Sequence, residues 1–268
     1  MNWVCREELK VVVWSIANQK GGVGKTTTTI ALAGLLSEQN QRVLVVDTDP
    51  HGSLTTYLNF DADYVPASLF DLFQLPHIDY DGVRELILST TFSHIDIIPA
   101  HMSLATLDRS MGNRSGMGLV LKKALNAVAA DYDYVLIDCP PILGVMMVNA
   151  LAASDRILIP VQTEFLAMKG LERMLRTLQI MQRSKPGGFD VTIVPTMYDK
   201  RTRASLQTLQ DLKTRYPDQV WTSAIPIDTK FRDASIKHMP PSLYAHNCRG
   251  VFAYKTLLSH LTRLAHNE

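Results

Sequence analysis

The residues with the clearest chemistry lie in a glycine-rich segment near the amino terminus. It reads KGGVGKTT, from Lys20 to Thr27, and it follows the apolar run VVVWSIA. Glycines let a backbone turn tightly enough to point successive N–H groups at one anion, and a helix that begins there adds its positive end. In such a loop Lys25 contacts the β- and γ-phosphates of a nucleotide, and the Thr26 hydroxyl ligates Mg²⁺. The predicted nucleotide-binding residues of the loop are Gly21, Gly22, Val23, Gly24, Lys25, Thr26 and Thr27.

The loop departs from the strict phosphate-loop pattern at its start. That pattern has a glycine, four free residues and then Gly-Lys-Ser/Thr, and Gln19 stands where the first glycine belongs. A second lysine, Lys20, follows it directly. Lys25 already serves the phosphates, so Lys20 is either a solvated lysine at the loop edge or has a separate role. A strand–helix turn without any ligand is disfavoured, because Gly-Lys-Thr follows a predicted strand.

Three carboxylates stand at or just after the ends of two other apolar runs. Asp47 ends RVLVVD, Asp49 follows two residues later, and Asp138 comes late in YVLIDCPP. An isolated Asp at a strand end is commonly a cap or turn residue. In an open parallel sheet, however, ligands bind beyond the carboxyl ends of the strands, and a phosphate-bound Mg²⁺ takes carboxylate oxygens there. The predicted metal-binding residues are Thr26, Asp47 and Asp138.

The elements that must position these residues alternate between strands and helices. The strand runs are continuous in Val, Ile and Leu, as in parallel strands that are covered on both faces. The predicted strands are Val11–Ala17, Arg42–Asp47, Ile95–Ala100, Tyr134–Pro140, Arg156–Gln162, Val191–Met197 and Val220–Pro226. The predicted helices are Thr26–Ser37, Met117–Ala130, Lys169–Arg183 and Ala204–Tyr216. This order predicts an α/β fold with a doubly wound, mostly parallel sheet flanked by helices, as one P-loop domain over residues 1–268.

Composition restricts the cellular compartments and the classes of partner that are consistent with the sequence. The net charge of the 268-residue chain is +1, which does not indicate a general nucleic-acid binder. The cysteines Cys5, Cys139 and Cys248 are widely spaced and odd in number, which favours a reduced cytoplasmic protein without a metal cluster. The charged amino terminus and the lack of a long apolar run predict neither a signal peptide nor a membrane span.

The motifs together resemble the ParA/MinD group of deviant Walker-type ATPases. KGGVGKTT, VVDTDPHGS and YVLIDCPP occur in this order and spacing, and the resemblance extends through IPVQTEFLAMKGL and PTMYDKRTRAS over nearly the whole chain. It is strongest with the ParA branch, which positions plasmids, chromosome origins and other cargo in bacteria. The segments DPHGSLT and SLFDLF look most like ParA-like proteins that are encoded beside chemotaxis genes.

The resemblance implies a role for each site residue. Lys20 crosses a dimer interface to the nucleotide of the other subunit, Lys25 serves its own nucleotide, and Asp49 orients or activates the attacking water. Asp47 and Asp138 hold the water shell of Mg²⁺. The adenine lies near Thr196–Met197 and Pro226–Asp228, so that Met197 and Pro226 join the nucleotide-binding residues. The implied cofactors are ATP and Mg²⁺, and the implied reaction is a slow ATP hydrolysis that acts as a timer.

Relatives in the ATP-bound dimer bind DNA through exposed basic residues, which needs only phosphate contacts. The candidates for such a DNA or partner surface are Lys200, Arg201, Arg203, Lys230 and Arg232. A solvated helix face is the simpler interpretation for any one of them. The segment IPIDTKFRDASI also departs from the IPRNVRLSEAPS of DNA-binding relatives, since Ile227 replaces an arginine and Asp228 stands beside it. This departure favours a protein scaffold over the nucleoid.

The carboxy-terminal segment carries an apolar stripe at helical spacing. Its members are Phe252, Leu257, Leu258, Leu261 and Leu264. MinD relatives attach to membranes by such a helix, but few cations accompany this one, so we predict a helix docked on the core and no membrane partner.

The predicted function is that of an ATPase whose ATP-bound homodimer positions a cargo, most specifically chemotaxis arrays at the cell pole. The predicted partners are a cargo adaptor or ATPase-activating protein and polar scaffold or chemotaxis proteins. One alternative is a plasmid or chromosome partition ATPase on non-specific DNA. Another is a nucleotide-gated binding module with negligible hydrolysis, and a third is a metabolic ligase or reductase-associated ATPase on the same fold.

Overall fold

A computed structural model describes residues 11–111, 116–182 and 188–265. Seven strands form one sheet in the order β3-β4-β2-β5-β1-β6-β7, in which every neighbouring pair is parallel except the antiparallel β3–β4 pair. The strands are β1 Val12–Ile16, β2 Val43–Asp47, β3 Leu88–Ser89, β4 Ile95–Ile98, β5 Tyr134–Asp138, β6 Arg156–Gln162 and β7 Asp190–Thr196. The predicted doubly wound, mostly parallel sheet is confirmed.

Both faces of the sheet are buried, which explains why the strand sequences are apolar without alternation. Successive residues of one strand belong to separate core layers, because side chains alternate across a sheet. Val13 and Leu44 lie in the layer that we call the first, while Trp14 and Val45 lie in the second.

Helices cover both layers. The first layer packs under the helices that follow β4, β5 and β6, and the second under the first and last long helices. The helices are α1 Lys25–Glu38, α2 Ser53–Tyr57, α3 Leu69–Leu72, α4 Tyr80–Arg84, α5 Leu104–Met111, α6 Val120–Ala127, α7 Val145–Ala153, α8 Ala167–Gln182, α9 Arg203–Arg215, α10 Lys230–Ile236, α11 Pro241–Tyr244 and α12 Arg249–Ala265. The predicted helix Met117–Ala130 is divided, since 3₁₀ turns at Met117–Leu119 and Ala129–Asp131 flank α6.

One predicted strand, Val220–Pro226, is wrong. The segment runs beside β7 but forms only two isolated parallel bridges, Ile193 with Val220 and Tyr198 with Pro226. Pro195 of β7 lies between them and has no N–H to donate, so it interrupts the ladder. The backbone bonds resume where Ile225 N donates to Pro195 O at 2.8 Å.

The carboxy-terminal helix α12 docks on the core, as predicted. Leu257, Leu258 and Leu261 are buried in the second layer, whereas Phe252, the first residue of the predicted stripe, is 72% exposed. The helix is fixed to α1 by a hydrogen bond of 2.8 Å between the hydroxyls of Tyr254 and Thr28. None of the helices within the described ranges has the length and apolarity needed to cross a bilayer.

Candidate nucleotide and magnesium site

The parallel sheet gathers the chemistry-bearing residues at one edge. In the register of the central strands Asp138 of β5 lies beside Ile16 of β1 on one side and beside Asp47 of β2 on the other. The glycine-rich loop leaves β1 at this same edge. The structure therefore brings the phosphate loop and both strand-end carboxylates together, although they are far apart in the sequence.

The loop has the backbone shape of an anion cradle. Gly22 and Gly24 take left-handed φ angles of 73° and 94°, which strain any residue with a side chain. A Cβ atom added at Gly21, Gly22 or Gly24 would meet nothing within 4 Å, so the space in front of the backbone is open. Helix α1 begins at Lys25 directly after Gly24, and its first turn has no side-chain cap. Its free N–H groups and positive end suit a phosphate.

Lys25 lies at the bottom of this cradle. It is only 9% exposed, and its Nζ donates to the backbone oxygen of Lys20 at 3.3 Å. An ammonium group has three donors, and one long hydrogen bond leaves capacity for phosphate oxygens. Lys25 forms no ion pair with a described carboxylate, and a buried cation is costly unless an anion joins it, so its position fits a phosphate ligand.

The carboxylate of Asp138 fits Mg²⁺. Its Oδ2 accepts the Thr26 hydroxyl at 2.6 Å, whereas its buried Oδ1 has no hydrogen-bond partner among the described residues. Burial, followed by the nearby charge of Asp47, raises the pKa of Asp138 to about 8. A buried oxygen without a donor, beside a hydroxyl and a second carboxylate, is the donor set that a hard cation takes. Mg²⁺ would also supply the positive charge that this group lacks.

Asp47 is held more completely than Asp138. Its Oδ2 accepts both the backbone N and the hydroxyl of Thr55, each at 2.8 Å, and its Oδ1 accepts the backbone N of Asp49 at 3.1 Å. Burial raises its pKa to about 6, although these hydrogen bonds oppose the shift. The sequence analysis did not identify Thr55. The available signal was a threonine that follows the strand-end Asp47 by eight residues.

Asp49 reaches the space above the loop. It lines a cavity of about 390 Å³ together with Lys25 and the loop glycines Gly21, Gly22 and Gly24. Of the carboxylates Asp47, Asp49 and Asp138, it is the one that lines this cavity. It therefore stands where a water molecule could approach a phosphate held by the loop.

Lys20 points away from the cradle of its own chain. Its ammonium forms an ion pair with Glu164, in the segment between β6 and α8. Its stem runs close to α8, since a Cβ atom on Gly170 would lie 3.3 Å from Lys20 Cβ. Lys20 is absent from the lining of the cavity that holds Lys25 and Asp49. The sequence analysis did not identify Glu164, although it lies inside the quoted segment IPVQTEFLAMKGL.

A second cavity, of about 540 Å³, adjoins the first and shares Gly24, Thr26 and Met197 with it. Pro226 also lines it, so the structure brings together the two residues that we expect near adenine. The sequence analysis missed several further lining residues, which come from separate elements. They are Tyr57, Phe231 and Tyr254.

Two of the five candidate basic residues outside the loop form ion pairs with described residues. Arg201 forms two hydrogen bonds with the carboxylate of Asp199, at 2.9 and 2.8 Å, and Lys230 pairs with Asp233 at 3.2 Å. Each of these two cations therefore has an acidic partner two or three residues away. Arg232 lines the second cavity. Lys200 and Arg203 are exposed and form no ion pair with a described residue.

Asp228 has a structural role that the sequence analysis did not anticipate. Its Oδ2 accepts the backbone N of Gly250 at 3.0 Å, and its Oδ1 accepts the backbone N of Lys230 at 3.0 Å. It therefore joins the first turns of α10 and α12, where a carboxylate also interacts favourably with the helix dipoles.

Comparisons with known proteins agree with this geometry. Residues 11–190 match the family described as AAA domain. The sporulation initiation inhibitor protein Soj of Bacillus subtilis is 36% identical over 244 residues, which cover 91% of this chain and 95% of Soj. The chromosome partitioning protein ParA of Caulobacter vibrioides is 36% identical over 250 residues, with 91% of each chain covered.

A solved structure of similar fold carries a nucleotide and a metal. It is cobyrinic acid a,c-diamide synthase from Mycobacterium smegmatis with bound ADP and magnesium, which is 33% identical, with a TM-score of 0.81 and 94% of each chain covered. The extent of these matches shows that the chain belongs to the ParA/MinD family of P-loop ATPases.

Proposed function

We propose that this ParA/MinD-family protein is a Mg²⁺-dependent ATPase whose ATP-bound form is a homodimer that positions or segregates an intracellular cargo. The observation that carries the proposal is the pair of lysines in one loop. Lys25 lies buried in the phosphate cradle, whereas Lys20 lies outside it, on Glu164. A second cation beside a complete cradle is useful if it serves the nucleotide of another copy.

The phosphate loop and Asp138 support Mg-ATP as the ligand. The loop glycines and Lys25 would hold the phosphates, and Thr26, Asp47 and Asp138 would hold Mg²⁺ or its water shell. When bound, Mg²⁺ neutralises charge that develops on the phosphate oxygens. The mycobacterial relative with bound ADP and magnesium supports the same ligands here. The second cavity, with Met197 and Pro226, would take the adenine.

Asp49 would direct the hydrolysis. Its carboxylate lines the phosphate cavity and can accept a hydrogen bond from the attacking water. The water oxygen forms a bond to the γ-phosphorus as the bond to the leaving ADP oxygen breaks, and the released proton passes to the carboxylate or to phosphate. Lys20 of a second copy would add positive charge in the transition state, as a finger supplied in trans.

Exposed apolar side chains surround the place where that second copy would dock. Ile142 and Leu143 follow β5 and Phe165 and Leu166 follow β6, and these strands lie on either side of β1. All four side chains are about half or more exposed at the edge that holds the loop. Their burial between two copies would stabilise a dimer through the hydrophobic effect, next to Lys20 and Glu164.

The decisive test replaces Lys20 by Ala and by Gln. Both variants should bind ATP as the parent does, because the loop and Lys25 are intact. Both should fail to form the ATP-dependent dimer in analytical ultracentrifugation, or form it without phosphate release. The Asp49→Ala background, which should trap the dimer, makes the loss easier to measure. Variants that dimerise and hydrolyse like the parent would reduce Lys20 to a surface lysine and refute the sandwich mechanism.

For the cargo, we propose chemotaxis arrays at the cell pole. The segments DPHGSLT and SLFDLF and the lost arginine at Ile227 support a protein scaffold, as do the engaged cations Arg201 and Lys230. A pull-down with the ATP-locked Asp49→Ala protein from native cells should recover chemotaxis or polar scaffold proteins. Recovery of DNA with a partition adaptor would overturn this assignment.

Chromosome or plasmid partition is the second candidate, because two relatives are a chromosome partitioning protein and Soj. Tight, ATP-dependent binding to random duplex DNA at physiological salt would favour it. Negligible phosphate release, even with partners present, would instead indicate a nucleotide-gated binding module. ATP turnover that required an added carboxylate substrate would favour a synthase.

A further inference from the structure

Among the described residues, His51 is the hydrogen-bond partner of the Asp49 carboxylate. The backbone N of His51 donates to Asp49 Oδ1 at 3.0 Å, and the ring Nδ1 lies 2.9 Å from the same oxygen. The turn that returns His51 to this carboxylate closes with Gly52, whose N donates to Asp49 O at 2.9 Å and whose φ is 60°. An ionised carboxylate only accepts, so Nδ1 carries the proton in this contact.

The two oxygens of Asp49 therefore differ. Oδ1 receives both hydrogen bonds from His51, whereas Oδ2 receives none from a described residue. The side chain borders the phosphate cavity. With Oδ1 fixed, rotation of the carboxylate is restricted, and Oδ2 is the oxygen that is left to accept a hydrogen bond from water.

We propose that His51 is a positioning residue for ATP hydrolysis, which holds the Asp49 carboxylate so that Oδ2 meets the attacking water. The inference rests on the proposed role of Asp49. His51 touches neither phosphate nor metal in this arrangement, since it lines neither nucleotide cavity. Its effect is on the orientation of the carboxylate, to which the rate of a proton-accepting or water-orienting group is sensitive.

A purely structural role for the ring is disfavoured by its surroundings. The His51 side chain is 81% exposed, compared with 15% for Asp49, so it fills no core space. Its removal leaves the backbone hydrogen bond to Oδ1 in place. We therefore expect substitutions at His51 to change turnover without changing stability, ATP affinity or the ATP-dependent dimer.

The experiment compares His51→Ala and His51→Asn. An Asn side chain places an N–H donor at the same number of bonds from Cα as His Nδ1, so it can restore the contact, whereas Ala cannot. We expect His51→Ala to lower kcat about tenfold with KM nearly unchanged, and His51→Asn to recover most of the loss. His77→Ala is the matched control, because this exposed histidine precedes α4 and lies outside both nucleotide cavities.

A double-mutant cycle separates positioning through Asp49 from any independent effect. If His51 acts on Asp49, His51→Ala should add nothing to Asp49→Ala, because the group that it positions is gone. Unchanged kcat in His51→Ala, failure of His51→Asn to recover activity, or additive losses would each overturn the inference while leaving the ATPase proposal intact. A parent protein that hydrolyses no ATP, alone or with partners, would overturn both.

Discussion

Lys25 of the phosphate loop and Arg201, in the basic segment that begins at Asp199, occupy opposite environments. Lys25 is buried and forms no ion pair with a described carboxylate, whereas Arg201 has 82% of its side chain exposed and is bound by both oxygens of Asp199. The Arg201 guanidinium beside Asp199 holds the pKa of that carboxyl down at about 2. A buried, unpaired cation is prepared for an anionic ligand, while an exposed, paired one is already satisfied. The comparison shows that the number of basic residues in a segment does not measure its capacity to bind a polyanion.

The largest expected effect is the loss of ATP affinity when Lys25 is replaced. Lys25→Ala should weaken ATP binding about 100-fold or more, because it removes the buried charge that faces the phosphates. Isothermal titration calorimetry with Mg-ATP measures this directly. Arg201→Ala is the matched control and should leave ATP affinity unchanged. Equal affinities of the Lys25 variant and the parent would show that the phosphate site is assigned wrongly.

The second largest effect should come from Asp49. Asp49→Ala should lower phosphate release about 100-fold, since the group that orients or deprotonates water is lost. ATP binding and dimer formation should persist, because the loop and both lysines are intact. Measuring the oligomeric state with ATP tests the expected dimer, and a phosphate-release assay tests the expected loss of hydrolysis. Hydrolysis at the parent rate would show that Asp49 has no catalytic role.

A smaller effect should follow from Asp138→Asn, which keeps an acceptor for Thr26 and removes the carboxylate that Mg²⁺ would bind. Tenfold weaker Mg²⁺ binding corresponds to about 1.4 kcal/mol. The gain in Tm on adding Mg-ATP should therefore fall by about 3–5 °C. Without ligand the variant should be no less stable than the parent, because burial already disfavours the charged form of Asp138 and the amide carries no charge. An undiminished magnesium effect would place the metal elsewhere.

The smallest effect should be on DNA affinity at the basic surface, where a paired arginine can be compared with one that forms no ion pair with a described residue. Arg203→Ala and Arg201→Ala change the net charge equally, so a difference between them reports direct phosphate contact. If DNA binds at all, we expect Arg203→Ala to reduce the slope of log affinity against log salt by about one and Arg201→Ala to leave it unchanged. Fluorescence anisotropy with random duplex DNA over a salt series measures both slopes. An equal reduction would mean that Asp199 releases Arg201 to DNA.

Much of the site could be predicted because its signals are local. Glycines at Gly22 and Gly24, required by positive φ angles, and the Gly-Lys-Thr sequence specify the cradle within a few residues. The ion pair of Arg201 with Asp199 is equally local, and the sequence analysis missed it by counting cations without their neighbours. The prediction of a strand over Val220–Pro226 was wrong for a different reason, because Pro195 on the neighbouring strand interrupts the pairing.

The sequence by itself determined the alternation of strands and helices, the phosphate loop and the presence of carboxylates at strand ends. These features depend on backbone preferences and on side chains that are close along the chain. The tertiary structure alone decided which distant groups meet. Asp138 lies 112 residues from Thr26, and Glu164 lies 144 residues from Lys20. Those contacts arise from the strand order β2-β5-β1-β6. A pattern of apolar runs cannot specify this order, because buried parallel strands are rich in Val, Ile and Leu whatever their neighbours.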